Sequence, residues 1–451
     1  MDTGSQKLIK TLQLDKGKAS FKRNFNYKLF PFFTRASERA RFNNGFTPVL
    51  GALSRHSLGL KSEYIPEDYN INLIFDNVDS FDNLQEDEKN NALKRIFAFD
   101  QISSIKHPYI LNYYPLSSTQ DRRGEIDIAL YLCEIFDLKN NDTWHKFVGD
   151  KHASNLVEKI LLESIADIPE KKEKNQFTEI LNELFHEKTE DLEFLLKHKD
   201  FALSNLDKFF AFYYFQYILQ TSLNLDHILN LKNGTKLYPL YFTLETEKLT
   251  STRLTNSKGF NMIKDINKSL LANENLLGYL NILLNNIKQD EKFYNFTDIF
   301  NLDVYKQGEL NYELNTFLLK YQEVFKKSES SKDSLEGNLL LFKKWLSEDL
   351  AVETVSRYPL SINEIGNLFF LKNRGSLGKT LTLKIDVLVL LTAIVVKDEK
   401  MLIKDVFVEF EKRGVFLDRY TKNEILNFYE KMNILDKKSD SGEVKYVKPV
   451  L

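Results

Sequence analysis

The run "FFAFYYFQYIL" at 209–219 limits the folds open to this chain more than any other stretch. Aromatic and aliphatic side chains cover most of the circumference such a helix presents, so it must lie at the centre of a helical domain. A second run, "IDVLVLLTAIVV" at 385–396, reads as another buried helix. Both fall short of the roughly 20 apolar residues that cross a bilayer, so no membrane span is predicted. Only 17 glycines and 9 prolines interrupt 451 residues, and this scarcity of helix breakers points to a mainly α protein.

Periodicity agrees. In "TEILNELFHEKTEDLEFLLKH" at 178–198, Ile180, Leu181, Leu184, Phe185, Leu192 and Leu195 recur at three- and four-residue steps, predicting one helical stripe. A short β element is expected in "LYPLYFTLETE" at 237–247, where aromatic and β-branched residues crowd together. "KKSESSKDSLEGN" at 326–338 has no apolar face to bury and reads as a linker over 328–338. The expected organisation is therefore a basic, aromatic and then acidic region over 1–100, a helical domain over 101–327, the linker, and a C-terminal domain over 339–451. The single Cys133 excludes an intramolecular disulfide, and no N-terminal segment has the pattern of a secretory signal, so the cytoplasm is the expected location.

The net charge of −2 hides local blocks. Residues 16–41 carry Lys16, Lys18, Lys22, Arg23, Lys28, Arg35, Arg39 and Arg41 against Glu38 alone. Interleaved Phe21, Phe25, Tyr27, Phe30, Phe32 and Phe33 add a capacity to stack bases, although aromatics at this density also build cores. An acidic stretch from Glu63 to Glu88 follows and reads as a solvated or self-docking surface.

Two segments imitate catalytic motifs. "NRGSLGKT" at 373–380 ends like a phosphate-binding loop, but Asn373 stands where the first glycine is needed and no downstream strand offers a Mg²⁺-organising Asp. "INLIFD" at 71–76 has that texture but lies upstream. "RRGEIDIALYLCEIF" at 122–136 resembles a metal-dependent nuclease core, yet Glu134 is not followed by the required lysine, so surface carboxylates on a helix or strand fit better. His145 and His152 lie seven residues apart, two helical turns, too far to share one metal without further ligands. No catalytic residue, metal ligand or cofactor site is assigned.

The C-terminal segment is locally consistent. A helix through 383–396 precedes "MLIKDVFVEFEKRG", where Leu402, Ile403, Val406, Phe407 and Phe410 form an apolar stripe and Gly414 supplies a left-handed stop. "TKNE" at 421–424 has the form of a capping box that opens a third helix, with Ile425, Leu426, Tyr429 and Met432 inward. "ILDKKSDSGEVKYVKP" then reads as a hairpin. Three helices and a hairpin from about residue 380 predict a winged-helix-like domain, a module that binds DNA or docks protein. Candidate nucleic-acid contacts are Lys22, Arg23, Arg35, Arg39 and Arg41 in the N-terminal block, and Arg253 and Lys258 in "KLTSTRLTNSKG". Arg374 and Lys379 belong to the glycine-bearing loop, and Arg419, Lys422, Lys431, Lys437, Lys438 and Lys445 to the C-terminal domain.

"RGSLGKTLTLKIDVLVLLTAIV", "FVEFEKRGVFLDRY" and "LDKKSDSGEVKYVKP" together resemble the tail of the DptG (DndG) family, the middle component of the DNA phosphorothioation-dependent restriction system; "YFTLETEKLTSTR" is also similar. The resemblance implies a bacterial defence protein that works with DptF and DptH subunits carrying ATPase and nuclease activity. It brings no catalytic residues with it. The expected role is a non-catalytic DNA-contacting or scaffolding subunit. The alternatives are an assembly subunit that does not touch DNA, or an atypical ATPase or nuclease.

Overall fold

The computed structural model describes residues 2–17, 19–21, 25–63, 106–117, 120–155, positions scattered between 158 and 181, 183–437 and 445–451. Lys22, Arg23, Lys438, "INLIFD" and the acidic stretch beyond Glu63 lie outside these residues. Helices α1 (Gly4–Thr11), α2 (Thr47–Ser57), α3 (Arg122–Ile135), α4 (Asp142–Val148), α5 (Lys188–Lys197) and α6 (Lys199–Asp226) lead to strand β1 (Tyr241–Leu244). There follow α7 (Leu254–Ser257), α8 (Phe260–Ile266), α9 (Leu270–Lys288), α10 (Phe296–Phe300), α11 (Val304–Phe325), α12 (Leu335–Asp349), α13 (Val352–Arg357) and α14 (Leu360–Ile365). The chain ends with β2 (Leu371–Asn373), β3 (Lys379–Leu383), α15 (Ile385–Val396), β4 (Met401–Leu402), α16 (Ile403–Lys412), β5 (Phe416–Leu417), α17 (Arg419–Lys431), β6 (Leu435–Lys437) and β7 (Lys445–Val447). The protein is mainly α, and no helix among the described residues is long and apolar enough to cross a membrane.

Helix α6 is the axis of the fold: every residue from Phe209 to Leu225 is buried, so the aromatic run packs on all sides as its composition requires. Rings from other elements close around it, with Phe136 against Phe210 and Tyr213, and Phe370 stacked on Phe215. Buried apolar residues from Leu8 to Val447 form one continuous cluster. Upstream, the stripe expected from Ile180 to Leu195 is interior apart from the half-buried Leu184, but the helix begins only at Lys188. Phe185 adopts φ +58°, a left-handed conformation that no continuous helix passes through, and burial of its ring holds it there.

Residues 328–338 do not form a free linker. Asn338 on α12 donates to Asn311 on α11, while further along Tyr321 donates to Asp349, so the two helices run parallel. The chain between them must therefore return along the pair. Lys327 binds Glu348 and Asp349, Glu329 binds Lys344, and the Asp333 carbonyl accepts from Asn311. Residues 335–338 are the first turn of α12, capped by Ser334. Polar side chains here pair with one another, which replaces the apolar face the segment lacks.

Helix α2 carries a titratable group deep in the body. His56 is 1% exposed, and burial, with Lys139 adding to it, lowers its pKa to about 4. The unfolded chain binds a proton at this ring near pH 6.5 that the folded chain refuses, so between these values stability falls as pH falls. The expected loss is on the order of 2–3 kcal/mol from pH 7 to pH 4. Denaturant titrations across this range check it: His56→Gln should flatten the slope, and an unchanged slope would assign the acid sensitivity to other groups.

Candidate nucleic-acid interface

Strand β1 organises the approach to the C-terminal elements. It pairs in parallel with β3 and with β5, giving a four-stranded sheet in the order β2-β3-β1-β5. The expected β element at 237–247 is thus the centre of a sheet whose other strands come from the last 81 residues of the chain, 371–451.

"NRGSLGKT" is a β-hairpin turn between β2 and β3, with Gly375 and Gly378 both at positive φ and the Arg374 N–H bonded to the Gly378 carbonyl at 2.8 Å. A phosphate-binding loop needs Gly-Lys-Thr at the start of a helix, where backbone N–H groups converge. Here Lys379 and Thr380 open a strand. The glycine-bearing loop therefore leads into a strand and closes a hydrogen-bonded hairpin. Arg374 turns inward, donating to the carbonyls of Glu247 at 2.7 Å and Leu244 at 3.1 Å. Burial and the neighbouring Arg253 pull its pKa down.

Arg253, expected on a phosphate-facing loop, is 8% exposed. Its Nε donates to Asp418 Oδ2 at 2.8 Å, Nη1 to Glu247 Oε2 at 2.5 Å and Nη2 to Thr421 Oγ1 at 2.8 Å. Asp418, not Thr421, caps α17: it accepts from the Thr421 N–H at 3.0 Å. The capping-box reading placed the start too late because β5 pairs with β1 and delivers the chain to the helix at Asp418. Burial opposes ionisation of Asp418, but Arg253 and the Thr421 N–H hold its pKa below the usual range. A second buried cluster ties α16 to the body: Arg413 grips Asp191 of α5 through two bonds of 2.6 and 2.7 Å, and Tyr213 of α6 donates to the same carboxylate at 2.6 Å.

These clusters set α17 against the body with one face inward. Ile425 and Tyr429 are fully buried, and the Tyr429 hydroxyl lies 2.7 Å from that of Thr392 on α15. Leu426 is half-buried and Met432 is 40% exposed, so the inward face is narrower than its periodicity suggested. Arg419, Asn423, Glu424, Asn427, Glu430 and Lys431 face solvent. Lys422 lies 3.3 Å from Glu411 and over the Phe407 ring. Beyond α17, β6 and β7 form the expected hairpin, joined by β4 in the order β4-β7-β6. Its register sets Lys437 directly opposite Lys445.

The N-terminal block does not join this surface as a stacking platform. Phe30 and Phe32 are buried, Phe25 packs edge-on against Tyr279, and Tyr27 against Phe293. Arg39, 8% exposed, donates to the Arg357 carbonyl at 3.2 Å and lies 3.7 Å from Glu364, so it is a core cation. Arg41 is exposed and donates to the Ala36 carbonyl; Arg35 is exposed beside Glu38. Lys258 is exposed and Lys379 half-buried. Lys264, which sequence reasoning passed over, reaches the hairpin turn at Gly378. Asp418, Glu247, Asp191 and Arg413 were also missed, because no local pattern joins partners up to 222 residues apart.

Among the described residues no group of three or more His, Cys, Asp or Glu is placed to hold a metal ion. The nuclease-like segment is helix α3, and His145 binds the Ser57 carbonyl. Neither a protein-family model nor a curated protein matches this chain.

Proposed function

We propose that this chain is a non-catalytic, DNA-contacting or scaffolding subunit of a DNA phosphorothioation-dependent restriction complex, acting beside DptF-like and DptH-like subunits that supply ATPase and nuclease chemistry. The C-terminal resemblance supports the system. The observation that carries DNA contact is the register of β6 and β7, which places two basic positions, Lys437 and Lys445, opposite each other in the hairpin, a pairing that suits a polyanion. Lys448 follows the end of β7, and α17 offers Arg419, Asn423, Asn427 and Lys431 on one exposed side. The order α15, β4, α16, β5, α17, β6, β7 supports a winged-helix-like reading, with α17 as the groove-facing helix and the hairpin along phosphates.

Binding of the purified protein to duplex DNA across a salt series tests this. Affinity should fall steeply with salt, and Lys437→Glu with Lys445→Glu should weaken binding and reduce the slope by roughly 0.9 for each phosphate no longer neutralised. Binding that is absent, or indifferent to salt, rejects the reading. A protein-docking role is favoured by Val408, Tyr420 and Met432, which are 50%, 65% and 40% exposed. In that case the same variants leave any DNA affinity untouched, and co-purification with an ATPase partner survives them.

A further inference from the structure

Helix α11 is apolar on two sides. Leu310, Leu314, Phe317, Leu318 and Tyr321 enter the core. On the opposite side Tyr305, Tyr312 and Leu319 are 71%, 72% and 56% exposed, and Val304, at the helix start about a quarter-turn from Tyr305, is 88% exposed. A surface helix normally turns polar residues outward, so a second apolar stripe marks a contact surface. Tyr305, Tyr312 and Leu319 recur at intervals of seven, the spacing that keeps side chains on a seam against another helix.

We infer that this stripe is the interface through which two copies of the chain associate, their α11 helices packed antiparallel about a two-fold axis at Tyr312. The stripe is symmetric about that residue. A dyad there sets Tyr312 on Tyr312 of the second copy and Tyr305 on its Leu319, which is the self-complementarity an isologous contact demands. Gly308, between the two tyrosines, carries no side chain and meets nothing within 4 Å, leaving a hole for a knob from the facing helix. The flanking ion pairs are formed within each copy, Lys306 with Glu309 and Lys320 with Glu323, and the Glu313 carboxylate accepts from the Ser5 N–H. Two copies therefore meet without breaking an ion pair, whereas a strongly charged partner would have to compete with these pairs. The three side chains of the stripe, with Val304 at its rim, expose roughly 500 Å². Two copies with their rims bury roughly 1,200 Å² in all, the lower bound for a specific interface, so the dimer should be reversible.

Sedimentation equilibrium of the protein should show a concentration-dependent dimer, and Tyr312→Glu should yield a monomer whose thermal stability matches the wild type at dilutions where the wild type is also monomeric, since that side chain is 72% exposed. The native Cys133 is buried, with its thiol pushed up to about 12 by burial, so engineered cysteines report cleanly. Under mild oxidation Tyr312→Cys should cross-link to itself. Tyr305→Cys should cross-link to Leu319→Cys in a mixture but not to itself. A wild-type monomer at the highest attainable concentration overturns the inference. So does a dimer that survives Tyr312→Glu, or self-cross-linking of Tyr305→Cys, which would indicate a parallel pair.

Discussion

Replacing Arg413 by alanine is expected to cost about 3–5 kcal/mol of folding stability, because it strands a carboxylate in the core. Asp191 is 0% exposed, and its two oxygens receive both Arg413 bonds and the Tyr213 hydroxyl. Against the opposing effect of burial, Asp191 keeps the guanidinium even more firmly protonated than usual, whereas burial raises the Asp191 pKa in spite of Arg413 and Tyr213, so the carboxylate is the member of the pair that protonates first as pH falls. Without the cation, Asp191 must take up a proton or admit water, and either repacks the contact between α5 and α16. Arg413→Met combined with Asp191→Leu should recover most of the loss, since removing both charges leaves nothing unpaired. Urea titrations of the three proteins decide the matter. A single variant within 1 kcal/mol of the parent would mean that the carboxylate is rescued by solvent.

Gly414→Ala is expected to cost about 2–4 kcal/mol through two separable effects. At φ +80° an L-residue is strained by roughly 1–2 kcal/mol. A Cβ there also stands 2.5 Å from the Gln216 Oε1, within a side chain that is 0% exposed on the central helix. The amide must swing away inside a close-packed core. Gln216→Ala removes the obstacle, so adding Gly414→Ala to that background should cost only the backbone strain. Equal costs in both backgrounds, measured by the same titrations, would show that the Gln216 contact carries no energy.

Both experiments bear on the DNA reading as well as on stability. Arg413 and Gly414 sit in the turn from α16 to β5, and β5 hands the chain to α17. A loosened turn changes the presentation of Arg419 and Lys431 without altering any cation on that surface. DNA affinity should therefore fall in Arg413→Ala while its salt slope persists, whereas removing cations that neutralise phosphates lowers the slope itself.

Local pattern carried much of this fold. The limits of α15 match the apolar run at 385–396, α6 buries the aromatic run, β1 lies within 237–247, and Gly414 takes the left-handed conformation assigned to it. Periodicity and backbone preference act over a few residues, so they are written in the chain itself. The roles of the cations are not. Arg39, Arg253 and Arg374 look in sequence like Arg419: each is a basic residue among polar neighbours. Only the tertiary structure turns the first three onto carboxylates and carbonyls and leaves the fourth in water. Asp418 lies 165 residues beyond Arg253, and a guanidinium has the same composition whether it meets a buried aspartate or solvent. Which one it meets depends on how distant strands pair, and that is decided only when the whole core closes.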